Sequence, residues 1–216
     1  MTATSTPPDT RPRRGQTQRE GLALLAVIVG VMWLVEVVNT LDANRLDGDG
    51  IYGRSLDHLW GIFTTPFIHA SFAHLIGNTI PFVFMGLIIA LQGAKRLALV
   101  TLIVIIVGGL GTWLVAPAGE PTIGASGVVF GYATYLFARG FFNRSVREVL
   151  VGLFVGLIWG GALLSSLVPH NGISWQGHLF GAVGGVVAAL LLRRERPSAV
   201  RAGPPASRRP DAAVAK

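Results

Sequence analysis

The chain has 216 residues, of which 51% are apolar and only 13% charged, with a mean hydropathy of +0.56 and a net charge of +7. A soluble domain of this size carries about 25% charged residues, so the deficit argues against an ordinary water-soluble globule and for a surface that faces lipid. Cysteine is absent, which excludes a disulfide framework and thiolate chemistry.

Residues 1–20 hold Pro7, Pro8, Pro12, Arg11, Arg13, Arg14 and Arg19, a composition that predicts a disordered basic tail. The first apolar run, 21–38, is not preceded by a short apolar stretch with a cleavable small-residue site. It reads as a retained anchor rather than a removed signal. A spanning helix needs about 20 mostly apolar residues, and five further runs qualify: 74–91, 97–116, 123–137, 149–168 and 175–192. The expected architecture is therefore an all-α integral membrane bundle of six transmembrane helices spanning 21–192. The connection 39–73 is too long for a plain helix link. Its Trp60, Phe63, Phe67 and Phe72 suit a structured loop at the membrane interface. A second basic tail, 193–216, closes the chain.

Of the 18 Lys and Arg, all but Arg45 and Arg54 fall in the two tails, in the link carrying Lys95 and Arg96, or in the link carrying Arg139, Arg144 and Arg147. Positive charge marks the cytoplasmic side, so both termini are expected there. The basic balance is a topology signal, and no nucleic-acid partner is expected. The same orientation sends the second, fourth and sixth runs inward from the outer face. His74 and Asn78, Ser126, and His178 all lie near their outer ends. Polar groups at membrane depth are costly unless partnered or hydrated, and the economical arrangement is a shared polar pocket.

Two glycine rows favour close approach of the helices that carry Ser126 and His178: Gly127 and Gly131 on one, Gly177, Gly181 and Gly185 on the other. Serine needs a base to become a nucleophile, and neutral imidazole is a suitable one. A tetrahedral intermediate needs oxyanion donors. Asn78, His74 and the backbone N–H of Ser126 are available, with His74 and Asn78 four apart on one helix face. No carboxylate lies deep in a run, so the expectation is a Ser–His dyad without an acidic third member.

Three strings carry a family resemblance. His69-x4-His74-x3-Asn78, Gly124-Ala125-Ser126-Gly127, and His178-x2-Gly181-x3-Gly185, in this order on separate runs, resemble the rhomboid family of intramembrane serine proteases over residues 21–192. The resemblance implies that Ser126 is the nucleophile and His178 the general base and acid. It implies that His74 and Asn78 donate to the oxyanion and that His69 is structural. It also implies single-pass transmembrane proteins as substrates, cut near the outer face without a metal or organic cofactor, in a multi-pass protein of a bacterial plasma membrane. The sequence departs from the family at Phe130, where tyrosine is frequent and packs on the catalytic histidine. It also lacks the Trp-Arg pair of many bacterial first loops. Phe154, Trp159 and the segment 169–172 would border the pocket. The competing readings are a non-catalytic relative that binds transmembrane clients, a proton-relay transporter, and a metalloprotease. The last would want His-Glu-x-x-His, which does not occur.

Overall fold

The computed structural model describes residues 14–168 and 174–194. The expectations for the distal parts of both tails and for 169–172 lie outside the described residues. Six long helices make up most of the described residues: α1 (Arg14–Leu41), α2 (Phe72–Ala90), α3 (Ala94–Val115), α4 (Ser126–Asn143), α5 (Val146–Ser165) and α6 (Trp175–Leu191). Among the described residues there is no strand. The nearest thing is a single antiparallel bridge between Ile51 and Thr122.

Among the described residues, four helical stretches are long and apolar enough to cross a membrane: Gly15–Leu41, Phe72–Ala90, Ala94–Val115 and Val146–Ser165. The other two long helices fall short for a physical reason. α4 sits at the centre, against α2, α3, α5 and α6, and its buried residues run from Val128 to Gly140. A helix wrapped in protein does not need a lipid-facing apolar surface. α6 has 17 residues and packs mainly on α4 and α3. The core is built from Leu25 and Met32 of α1, Phe82, Met85 and Ile89 of α2, Val100 and Val104 of α3, and the α4 stripe around Tyr132 and Leu136. The fully buried Tyr132 satisfies its hydroxyl on Thr101 Oγ1 at 2.6 Å, which ties α4 to α3.

Two boundaries differ from expectation. α1 is already helical at Arg14, the first described residue and well ahead of the apolar run, and its early turns rest on the α2–α3 turn. Thr17 packs onto Gly93, and Gly21 lies against the Ala90 carbonyl. The fourth helix is shifted toward the C-terminus. Gly124 has φ +112°, which no right-handed helix accommodates, so helix begins at Ser126 and not at Ile123. At its other end the helix continues to Asn143. Arg139, expected in a link, is therefore a helical residue, paired with Glu148 of α5 at 2.7 Å.

The connection after α1 is structured, as its aromatic content suggested. It forms 3-10 turns at Arg45–Asp49, Leu56–His58 and Thr65–Phe67 and a single α-turn at Gly61–Thr64. The bridge Ile51–Thr122 docks it on the segment that leads into α4 (N···O 3.0 and 2.8 Å).

The glycine rows of α4 and α6 face each other. A Cβ at Gly181 would lie 2.1 Å from the Gly127 carbonyl oxygen, and one at Gly185 would lie 2.0 Å from that of Gly131. Backbone meets backbone along the whole contact, the most extensive in the molecule. Thr134 Oγ1 crosses it to the Ala182 carbonyl at 2.7 Å.

Candidate active site

Ser126 is the first residue of α4, and His178 lies in the first turn of α6. The close glycine seam places these two helix starts side by side. His178 Nε2 and Ser126 Oγ are 2.9 Å apart. The other ring nitrogen, Nδ1, is 2.8 Å from the carbonyl of Ser166, the residue that caps α5. A carbonyl only accepts, so Nδ1 carries the proton and Nε2 presents its lone pair to the serine hydroxyl. The ring is held from a third side by Phe130, stacked on it at 4.4 Å with 7° between planes. The start of α6 is fixed by Ser174, whose Oγ accepts from the Gly177 N–H at 3.3 Å.

His74 and Asn78 come to the same place from α2. The left-handed Gly124 allows this. A Cβ there would be 2.8 Å from His74 Cε1 and 3.4 Å from Asn78 Nδ2. Asn78 is buried, and its Nδ2 has no hydrogen-bond partner. A buried donor without a partner is costly. Here it lies beside the segment that leads into the serine, where an incoming oxygen would satisfy it. The backbone N–H of Ser126, in the first turn of its helix, has no intrahelical acceptor either.

The strand-like segment before Ser126 is held by groups that sequence reasoning did not single out. Thr65 accepts from the Gly124 N–H at its carbonyl (3.0 Å) and donates through Oγ1 to the Thr122 carbonyl (2.9 Å). His69, fully buried, accepts from the Ala125 N–H at Nε2, 3.3 Å away. Burial, with the neighbouring His74, pushes the His69 ring down to about 4, so it stays neutral and keeps that lone pair available. The resemblance implied a structural role for His69, and its contacts fit that role. The Ser166 carbonyl and Thr65 left no signal, because a backbone acceptor and a lone threonine look the same in any sequence. The hydroxyls of Ser165 and Ser166 bond the Ala162 carbonyl one turn back (2.9 and 2.8 Å), as expected of serines in membrane helices.

A cavity of about 40 Å³ reaches Ser126 between α3, the first loop and α6. Its polar lining is Thr65, Thr112, Thr122 and Ser174. That is room for water, which needs roughly 10–15 Å³ for one molecule. Trp159 and Phe154 of α5 pack on Phe84 of α2, with ring centres 6.4 and 6.2 Å apart. Among the described residues, no cluster of His, Asp or Glu could hold a metal ion.

Comparison with known proteins agrees with the motifs. An uncharacterized protein of Mycobacterium tuberculosis is 42% identical over 202 residues, spanning 87% of this chain and 84% of that one. YdcA of Bacillus subtilis, named as a candidate rhomboid protease, is 32% identical over 134 residues, 61% of this chain and 66% of its own. The chloroplastic rhomboid-like protein 11 of Arabidopsis thaliana is 33% identical over 191 residues, 76% of this chain and 66% of its own. The rhomboid-domain profile matches residues 56–195, a stretch that holds every residue of the site just described, and the chain belongs to the rhomboid family of multi-pass membrane proteins.

Proposed function

We propose that this chain is an intramembrane serine endopeptidase that cleaves single-pass transmembrane proteins near the outer face of a bacterial plasma membrane. The observation that carries the reading is the 2.9 Å contact between Ser126 Oγ and His178 Nε2, with the opposite nitrogen anchored on the Ser166 carbonyl. In this reading all six long helices cross the bilayer, residues 21–192 form the protease domain, and the two basic tails are cytoplasmic. The placement of nearly all Lys and Arg at one set of helix ends supports this orientation. No metal or organic cofactor takes part.

Ser126 Oγ attacks the scissile carbonyl carbon as its proton passes to His178 Nε2. The carbonyl oxygen becomes an oxyanion and takes hydrogen bonds from Asn78 Nδ2, the His74 ring and the Ser126 N–H. The intermediate collapses, the C–N bond breaks, and imidazolium returns its proton to the leaving amine. Water then attacks the acyl-serine with His178 again as base. The Ser166 carbonyl and the Phe130 ring hold the imidazole in one tautomer and one plane throughout. Phe130 keeps the stacking face that a tyrosine would offer.

The test is labelling of detergent-solubilised protein with a fluorophosphonate, beside Ser126→Ala and His178→Ala. Labelling of the unaltered chain alone is expected. Equal or absent labelling in all three would sink the dyad and leave a membrane protein that binds transmembrane clients without cutting them.

A further inference from the structure

A second and larger cavity lies toward the opposite end of α4 from Ser126, where Arg139 and Asn143 are roughly 20–25 Å away along the helix. It has a volume of about 370 Å³, within the roughly 300–1,000 Å³ range of small-molecule sites. Arg96, Arg139 and Arg194 line it from α3, α4 and the end of α6, together with Asn143, Tyr135 and Gln92. The first turns of α1 close one side, through Thr17 and Gln18.

The charges in this cavity do not balance. Among the described residues, the carboxylate paired with these arginines is Glu148, 2.7 Å from Arg139 and 3.1 Å from Arg194. Its second oxygen already accepts from Asn143 Nδ2 at 2.6 Å. Arg96 spends one N–H on the Leu192 carbonyl, which neutralises nothing. Arg139 is nearly buried, and its Nε has no partner. Among the described residues, three guanidinium groups against one carboxylate leave a surplus of two positive charges around a polar cavity. Arg139 is nearly buried, Arg96 half-buried and Arg194 exposed, so the cluster grades from the protein interior to the cavity mouth. Cations so placed favour an anion between them, and forked guanidinium donors match phosphate oxygens.

We propose that this cavity binds the phosphate headgroup of an anionic phospholipid. Two features favour a lipid over free phosphate. Leu91, half exposed, forms part of the rim and offers an apolar edge to an acyl chain. The cavity also lies at the helix ends where Lys and Arg concentrate, the side whose leaflet carries anionic lipid. A headgroup seated there bridges α1, the α2–α3 turn, α4 and α6. It clamps the far end of the bundle while the glycine seam clamps the near end. The proposal rests on the membrane-spanning architecture and not on the chemistry of Ser126.

Native mass spectrometry of the full-length detergent-purified chain tests it, with phosphatidylglycerol and phosphatidylcholine of matched acyl chains as probes. Retention of phosphatidylglycerol over phosphatidylcholine is expected. It should weaken by roughly fivefold for each arginine neutralised, in Arg96→Gln and Arg194→Gln. Arg96→Lys, which keeps the charge, should retain the preference, and circular dichroism should report unchanged helix in all three. Equal retention of both lipids, or an unchanged preference in the folded Gln variants, would overturn the site. Equal retention of the two lipids together with retention of inorganic phosphate that is lost in Arg96→Gln and Arg194→Gln would overturn the lipid as its occupant and assign the cavity to a free anion.

Discussion

In the proposed mechanism a single atom pair, Ser126 Oγ and His178 Nε2, carries the chemistry, so the sharpest predictions concern single residues. Replacing Ser126 with alanine removes the nucleophile, and cleavage of a reconstituted transmembrane substrate should fall to background. Replacing His178 with alanine should cost about 10²–10⁴-fold, the usual contribution of a positioned base. Asn78→Ala should lower the rate by about 10²–10³-fold while the helical content stays unchanged, since its amide is the buried donor without a ground-state partner. An equal loss of helix and activity would make Asn78 a packing residue instead. Ser126, His178, His74 and Asn78 were legible in the sequence because they are rare polar groups in apolar runs, all near one end. Ser166 was not, because its side chain does what any serine in an apolar helix does, and the contribution to the site comes from its carbonyl. His69 carries a prediction of a different kind. Its folded pKa is about 4 against an ordinary value of 6.5, so the unfolded chain binds the extra proton between those values. Its contribution to stability is complete above about pH 6.5 and is lost as pH falls toward 4. The thermal midpoint of the purified protein should drop over that interval, and His69→Gln, which keeps an acceptor without the titration, should flatten the drop.

At the scale of elements, the α4–α6 seam decides whether serine and histidine can meet. The Gly181 Cβ position lies 2.1 Å from a backbone oxygen, which cannot move aside as a flexible side chain could. Gly181→Ala should therefore push the helices apart and cost about 1–3 kcal/mol, the scale of overpacking. It should also reduce fluorophosphonate labelling of Ser126, because the hydrogen bond to His178 spans the same seam. Gly156→Ala on α5, where a Cβ meets nothing within 4 Å, is the matched control and should change neither. The spacing of four in Gly127–Gly131 and Gly177–Gly181–Gly185 was readable because a helix repeats its face at that interval. The ends of α4 were not. Hydropathy ends the run near Phe137, yet Arg139 and Asn143 continue the helix because Glu148 of the neighbouring helix satisfies them. Hydropathy averages over a window and cannot see a partner on another helix.

For the molecule as a whole, charge placement and site position make a single claim about sidedness. If positive charge marks the cytoplasm, the start of α4, the start of α6 and the loop docked through Ile51 and Thr122 all face outward. The chain contains no cysteine, so single cysteines report position without background. Ser55→Cys, in the loop between α1 and α2, should react in intact cells with a membrane-impermeant maleimide. Thr2→Cys and Ala215→Cys, near the two termini, should react only after the membrane is opened. Arg54, next to Ser55, donates to the Leu114 carbonyl at the end of α3, so this loop is fixed at the Ser126 end of the bundle. Labelling of Ser55→Cys therefore reports the side on which the serine opens. The reverse pattern would put the candidate site on the cytoplasmic side. It would also detach the arginine-lined cavity from the anionic leaflet, so one topology measurement bears on both ends of the molecule.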